Sequence, residues 1–191
     1  MSSANPSLLT PSEYLEIERK SEIRSEYIAG RMYAMSGASR RHSLITGNFH
    51  RELSGQLRGR ACEAHAIDLR LKVNPTGMYT YPDIVAVCGE VQLEDDRFDT
   101  LLNPTVIVEV LSGSTEAYDR GEKFAHYRRL DTLREYVLVA QDKIRIEHFR
   151  REGEEWILSE VSGLDATLHL GSIDCHVAVA AIYEKVEFES R

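Results

Sequence analysis

Two carboxylates stand in apolar surroundings, where a charge is costly unless it is paired or bound to a cation. Asp83 follows Tyr81-Pro82 and opens the run Ile84-Val85-Ala86-Val87, and Glu109 interrupts Val106-Ile107-Val108 before Val110-Leu111. Together they invite a divalent cation. Hard oxygen donors suit Mg²⁺ or Mn²⁺, and such a site needs only one or two carboxylates, with water and phosphate completing the shell. From the residues alone a second reading stays open for each acid. It would sit at a strand end, capping a neighbouring helix or pairing with an arginine.

A lysine adds to this set. Lys123 closes the segment Asp119-Arg120-Gly121-Glu122-Lys123, four residues after Asp119 and so on the same helical face. If that helix packs back on the strands carrying Asp83 and Glu109, its amino group approaches both acids. A lysine there can orient or deprotonate an attacking water and offset charge on a scissile phosphate. The alternative is a surface Asp–Lys pair, worth about a few tenths of a kcal/mol.

The elements that must position these groups follow from pattern. Thr10-Pro11 starts a short helix over Pro11–Glu18. Residues 25–35 form a hairpin that turns at Ala29-Gly30. Apolar residues at 44, 45, 49, 53 and 57 keep the helical period, so a helix runs from His42 to Leu57 and stops near Gly59. Strands are expected at Cys62–Ala66, Leu69–Val73, Asp83–Val87 and Thr105–Val110, with a turn at residues 74–77 and a solvated loop at Glu94-Asp95-Asp96. A helix from Thr115 to about Arg129 has a candidate core face of Tyr118, the stem of Glu122, Ala125 and Leu130, with Phe124 and Tyr127 alongside. Strands then occupy Glu135–Ala140, Ile144–Arg150 and Trp156–Val161, and the tail ends in a helix around Ala178–Lys185. This is an α+β chain with a central sheet, and the helix at 115–129 joins two of its strands.

Composition bounds the function classes. The 191 residues are 42% hydrophobic and 28% charged, ordinary for a globular protein and against disorder or a coiled coil. The apolar runs fall well short of the roughly 20 residues of a membrane span, and Met1–Pro6 show no signal-peptide pattern. Cys62, Cys88 and Cys175 are far apart and odd in number, so they read as separate reduced thiols in a cytoplasmic protein. A net charge of −8 leaves no global basic patch for nucleic acid. Local basic groups do exist, Arg40-Arg41, Arg58 with Arg60, Arg128-Arg129 and Arg150-Arg151, and most of them read as solvated surface.

Several motifs in register carry a resemblance: Glu26-Tyr27-Ile28-Ala29-Gly30-Arg31 through Gly37, His42, Tyr81-Pro82-Asp83-Ile84-Val85, Asn103 through Thr115, then Asp119, Lys123, Tyr127 and Arg134-Glu135-Tyr136. From about Glu13 to Tyr183 the chain resembles the Uma-two family of endonucleases. That family is similar to the PD-(D/E)XK fold. The resemblance implies one restriction-endonuclease-like domain over residues 1–191, core about 13–183, with a mixed central β-sheet flanked by helices and an amino-terminal helix and hairpin extension.

The resemblance also implies roles. Pro82-Asp83 matches the first half-motif and Glu109 the acid of the second, making both metal ligands for Mg²⁺ or Mn²⁺. Leu111 stands where the usual lysine would be, so the lysine role passes to Lys123. Glu26 is the better candidate for an additional acid and Glu52 the weaker, and His42 is a candidate for touching phosphate or substrate. Ser112, Thr115 and Asp119 would orient Glu109 or Lys123, and Asp68 and Lys72 flank the same region. The expected activity is metal-dependent hydrolysis of DNA, or of another nucleic acid. The alternative is a catalytically weak or inactive module that binds nucleic acid or a partner. A homodimer is expected because cutting both strands needs two sites, with Ile182-Tyr183 as the exposed candidate surface.

Overall fold

A computed structural model describes residues 8–188. The signal-peptide reading concerned Met1–Pro6, outside that range. Helix α1 (Pro11–Glu18) opens on a reciprocal capping box: Thr10 accepts from the Glu13 backbone while the Glu13 carboxylate accepts from Thr10 N. It fastens the strand that follows. Tyr14 donates to the Ser25 carbonyl at 2.8 Å, and Ser25 N donates to Glu18 at 2.9 Å.

Strands β1 (Ser25–Ile28) and β2 (Arg31–Ala34) form the expected hairpin. Its turn residues Ala29 and Gly30 both have positive φ, 48° and 85°, as the tight primed turns require. Helix α2 (Arg40–Leu57) begins two residues earlier than its apolar period suggests, because Ser39 caps it by accepting from His42 N at 3.1 Å.

The central sheet has six strands in the order β11-β10-β9-β8-β6-β3. These are β3 (Cys62–Ala66), β6 (Ile84–Cys88), β8 (Val106–Leu111), β9 (Glu135–Ala140), β10 (Arg145–Glu152) and β11 (Glu155–Ser162). Among the described strands of this sheet, only β8 and β9 pair in parallel, which is why a helical crossover joins them. A second sheet, β2-β1-β5-β4-β7, brings in β4 (Arg70–Val73), β5 (Met78–Thr80) and β7 (Thr100–Leu101). Pairing of Tyr27 with Tyr79 joins the amino-terminal hairpin to β5, a three-residue strand the sequence pattern did not reveal.

Both faces of the middle strands β6, β8 and β9 are buried, so these three read as continuous apolar runs. Val106, Val108 and Val110 face Ile45, Phe49 and Leu53 of α2, while Ile107 and Leu111 face Phe124 and Tyr127. Glu109 shares this second face by the period of two.

The crossover departs from a single helix. It is α3 (Glu116–Tyr118), a π-helical turn (Asp119–Lys123) and α4 (Phe124–Tyr127). The π turn shifts the inward face, so Asp119, Lys123, Phe124 and Tyr127 are buried while Glu122 is exposed and Ala125 only half-buried. Tyr136 supports it by donating to the Asp119 carbonyl at 3.0 Å.

The tail is also different: β12 (Thr167–Leu170) and β13 (Cys175–Ala178) form a small antiparallel pair before α5 (Val179–Ile182). Ile182 and Tyr183 are buried beneath α2, which removes them as an exposed dimer surface. Cys62 and Cys88 are directly opposed on β3 and β6 and form a disulfide, so strand register overrides their separation in sequence. Cys175 is a buried free thiol.

Two surface readings change as well. Arg60 donates to the Ile173 and Asp174 carbonyls, and Arg151 to those of Leu130 and Arg128. Within the expected acidic loop Asp95 and Asp96 are exposed, but Glu94 is half-buried and accepts from Lys72 and from Tyr79 at 2.7 Å.

Gly30 tests how the hairpin is set. A Cβ there would stand 2.7 Å from Leu8 Cβ, at a φ side chains avoid. Gly30→Ala is expected to cost at least about 1–2 kcal/mol in denaturant unfolding; an unchanged midpoint would mean the turn relaxes freely.

Candidate active site

Lys123 is the centre of the site. Its amino nitrogen lies 2.9 Å from Glu109 Oε1, 3.1 Å from Glu26 Oε1 and 3.6 Å from Asp119 Oδ1. All four side chains are buried. They come from three elements: Glu26 from β1, Glu109 from β8, Asp119 and Lys123 from the π turn. The hydroxyl of Tyr127 donates to Glu109 Oε1 at 2.8 Å. Glu26 accepts from Thr80 and, at 3.3 Å, from Tyr118.

Asp83 sits beside this cluster, just before β6, and is partly exposed. Val110 N donates to its Oδ2 at 2.7 Å, and Asp83 N donates to Glu109 Oε2 at 3.4 Å. The two half-motif acids therefore meet where β6 begins and β8 ends. His42, in the first turn of α2, stands over Asp83 with Nε2 at 3.2 Å from Oδ2.

Four acids share one lysine and one histidine, and the electrostatics follow. Burial raises the Glu109 carboxyl to about 8, with Lys123 opposing and Asp119 and Asp83 adding to the rise. Asp119 is raised for the same reason, again against Lys123. Burial works against a charged Lys123, but Glu109, Glu26 and Asp119 outweigh it and hold the ammonium well above its ordinary value. Burial likewise disfavours a charged His42. Its bond to Asp83 and the nearby Asp119 charge, with a hydrogen bond to the Val110 backbone, reverse that and raise it.

Of the sequence-predicted residues, Glu26, Asp119, Lys123, Glu109, Asp83 and His42 are brought together. Asp119 N donates to the Thr115 carbonyl at 2.9 Å, whereas Ser112 bonds to Thr115 at 2.9 Å and to Ser114, one step farther from the acids. Three weaker candidates are engaged elsewhere. Glu52 pairs with Arg51, Asp68 with Arg24, and Lys72 with Glu94. Thr80 and Tyr118 were not anticipated as partners of Glu26, and no local pattern marks Thr80. Tyr127 had a signal: it follows Lys123 by four residues.

The donor set fits a hard divalent cation. Asp83 and Glu109 offer carboxylate oxygens beside the Val110 backbone, and the group now touching Asp83 and Val110 is an imidazole whose positive form is favoured there.

With this geometry established, comparisons place the chain. A family model described as "Uma2: Putative restriction endonuclease" matches residues 11–178. The chain belongs to the Uma2 family. Two relatives come from Synechocystis sp. (strain ATCC 27184 / PCC 6803 / Kazusa). "Uncharacterized protein sll1609" is 34% identical over 166 residues, 86% of this chain and 94% of that protein. "Uncharacterized protein slr1290" is 35% identical over 181 residues, 94% of each. A crystal structure of "a putative nuclease belonging to DUF820 from Anabaena variabilis ATCC 29413" superposes with a TM-score of 0.77 at 18% identity, covering 94% of this chain and 99% of that one. This Uma2 member thus shares the α+β fold of that structure, with mixed sheets flanked by helices.

Lys123→Met is expected to destabilise the protein by roughly 3–5 kcal/mol, because three buried carboxylates lose their counter-charge. Protonating Glu109, already raised to about 8 in wild type and higher without the ammonium, relieves the loss, so the variant's deficit relative to wild type should shrink as pH falls from about 10 to 8. A loss below about 1 kcal/mol, typical of exposed pairs, would contradict this in urea titrations across that range.

Proposed function

We propose that this Uma2 protein is a metal-dependent endonuclease that hydrolyses phosphodiester bonds of DNA. The observation that carries the reading is the meeting of Asp83 and Glu109 beside a lysine that is buried and held charged. Asp83 and Glu109, with the Val110 backbone, would hold Mg²⁺ or Mn²⁺. The bound ion would supply a water of lowered pKa and positive charge for the phosphate.

The protein's own groups divide the remaining work. Lys123, fixed by Glu109, Glu26 and Asp119, would orient the attacking water and offset charge gathering on the phosphate. Glu26 and Asp119 are positioning residues in this scheme, setting where the ammonium points. Tyr127 fixes Glu109 Oε1 and so leaves Oε2 toward Asp83. His42 would give up its contact with Asp83 to the cation, or meet the phosphate from the rim of the site.

The net negative charge of the chain is compatible with this scheme, since a cation held by Asp83 and Glu109 can bridge to phosphate. We place the protein in the cytoplasm and as a homodimer, so that two sites could address both strands. None of the described helices is long and apolar enough to cross a membrane.

The test combines calorimetric titration of Mg²⁺ and Mn²⁺ with plasmid nicking, on wild type and Asp83→Ala/Glu109→Ala. Binding and nicking in wild type, both lost in the double variant, are expected. Each catalytic contribution should be large, about a hundredfold or more in rate for Lys123→Ala with metal binding retained. Metal binding without nicking by any preparation would instead favour a binding module on the same fold.

A further inference from the structure

Away from the acids, the β12–β13 hairpin carries a second set of donors that the proposed function leaves unused. His169 and His176 are directly opposed in the register of the two strands. Their rings stack with centroids 4.2 Å apart and planes 19° from parallel. Asp174, in the connection between the strands, brings its carboxylate to the same place. One donor atom from each of the three side chains lies within 4.8 Å of the others. All three residues are exposed.

The backbone under these side chains is fixed from several sides. Gln56 of α2 bonds His176 at both its N–H and its carbonyl, each at 2.9 Å. Arg60 donates to the Ile173 carbonyl at 2.7 Å and the Asp174 carbonyl at 3.2 Å. Ser172 N donates to the buried Glu135 at 2.6 Å, and Ile173 is itself buried. Asp174 takes a left-handed conformation, φ 47°, which turns the chain back toward His176. The hairpin alternates Leu168, Leu170, Cys175 and Val177 into the core and His169 and His176 out of it.

We propose that His169, Asp174 and His176 form a surface binding site for a divalent transition ion of the zinc class. Two imidazoles and one carboxylate make a nitrogen-rich donor set suited to Zn²⁺, Ni²⁺ or Cu²⁺, unlike the all-oxygen preference of Mg²⁺. Donors around one such ion stand roughly 3–3.5 Å apart, from metal–ligand bonds of about 2.0–2.2 Å. Side-chain rotation at three exposed positions closes the remaining gap, since the backbone is already set. The two strands would then be joined through the ion, pinning the hairpin that closes the core beneath α2. This inference is independent of the nuclease reading, because it uses different residues, a different element and a different class of ion.

The test titrates ZnCl₂ into wild type, His169→Asn/His176→Asn and Asp83→Ala/Glu109→Ala, by calorimetry and thermal unfolding. Wild type and the acid-site variant should each retain a zinc site at the hairpin. At free zinc near a hundred times Kd, it should raise Tm by roughly 5–10 °C. The histidine variant should fold, since both positions are exposed, and should lack that site. Asp174→Asn supplies a second check, with weakened binding expected. Equal zinc binding by wild type and the histidine variant would overturn the inference, as would absence of binding in the acid-site variant.

Discussion

The contact on which the site depends is the buried ammonium of Lys123 among the carboxylates of Glu109, Glu26 and Asp119. Each acid alone would be too costly to bury on its strand or helix. Each is tolerated because the other elements deliver the lysine, and the lysine is tolerated because they deliver the acids. The cluster therefore ties three distant pieces of chain to one point: the amino-terminal hairpin, the central β8 strand and the π-helical turn of the crossover. The supporting contacts read as means to that end. Tyr14 and Glu18 hold the start of β1, Thr80 holds Glu26, and Tyr136 holds the backbone of Asp119.

The arrangement also explains how a lysine far from the second half-motif acid can serve beside it. Leu111 shares a face with Glu109 but fills the apolar layer against Phe124 and Tyr127. The amino group arrives from above, on the helical crossover. The π turn then sets the inward order Asp119, Lys123, Phe124, Tyr127, so a charged pair is followed by an aromatic pair on the face toward the acid. Asp83 lies outside this enclosure, partly exposed and touched by His42. The buried half of the site is thus set by ion pairs, and the half open to solvent presents the Asp83 carboxylate beside His42.

Much of this was legible in the residues. The apolar β-branched runs of β6 and β8 declared themselves as strands, and the acids at 83 and 109 stood out against them. Asp119 and Lys123 announced a shared helical face through their spacing. The sequence pattern did not reveal where the helix would change its winding, because a π turn depends on what the face must meet. It did not reveal that Cys62 and Cys88 would be opposed, since that follows from register between strands 26 residues apart. Thr80 was hidden for a similar reason: its role exists only once β5 pairs with β1. The β12–β13 hairpin did carry a period-two signal in Leu168, Leu170, Cys175 and Val177, but at four residues per strand it was easily absorbed into the tail.

The central claim is that Asp83, Glu109 and the Val110 backbone form the cation seat beside Lys123. An anomalous difference map from a crystal soaked in MnCl₂ would test it most directly. The account predicts a peak in contact with both carboxylates, with His42 displaced from Asp83 or joined to the ion, and the Lys123 cluster intact. No peak there at saturating Mn²⁺, with His42 still on Asp83, would contradict it and leave the two acids as structural partners of the lysine and the histidine.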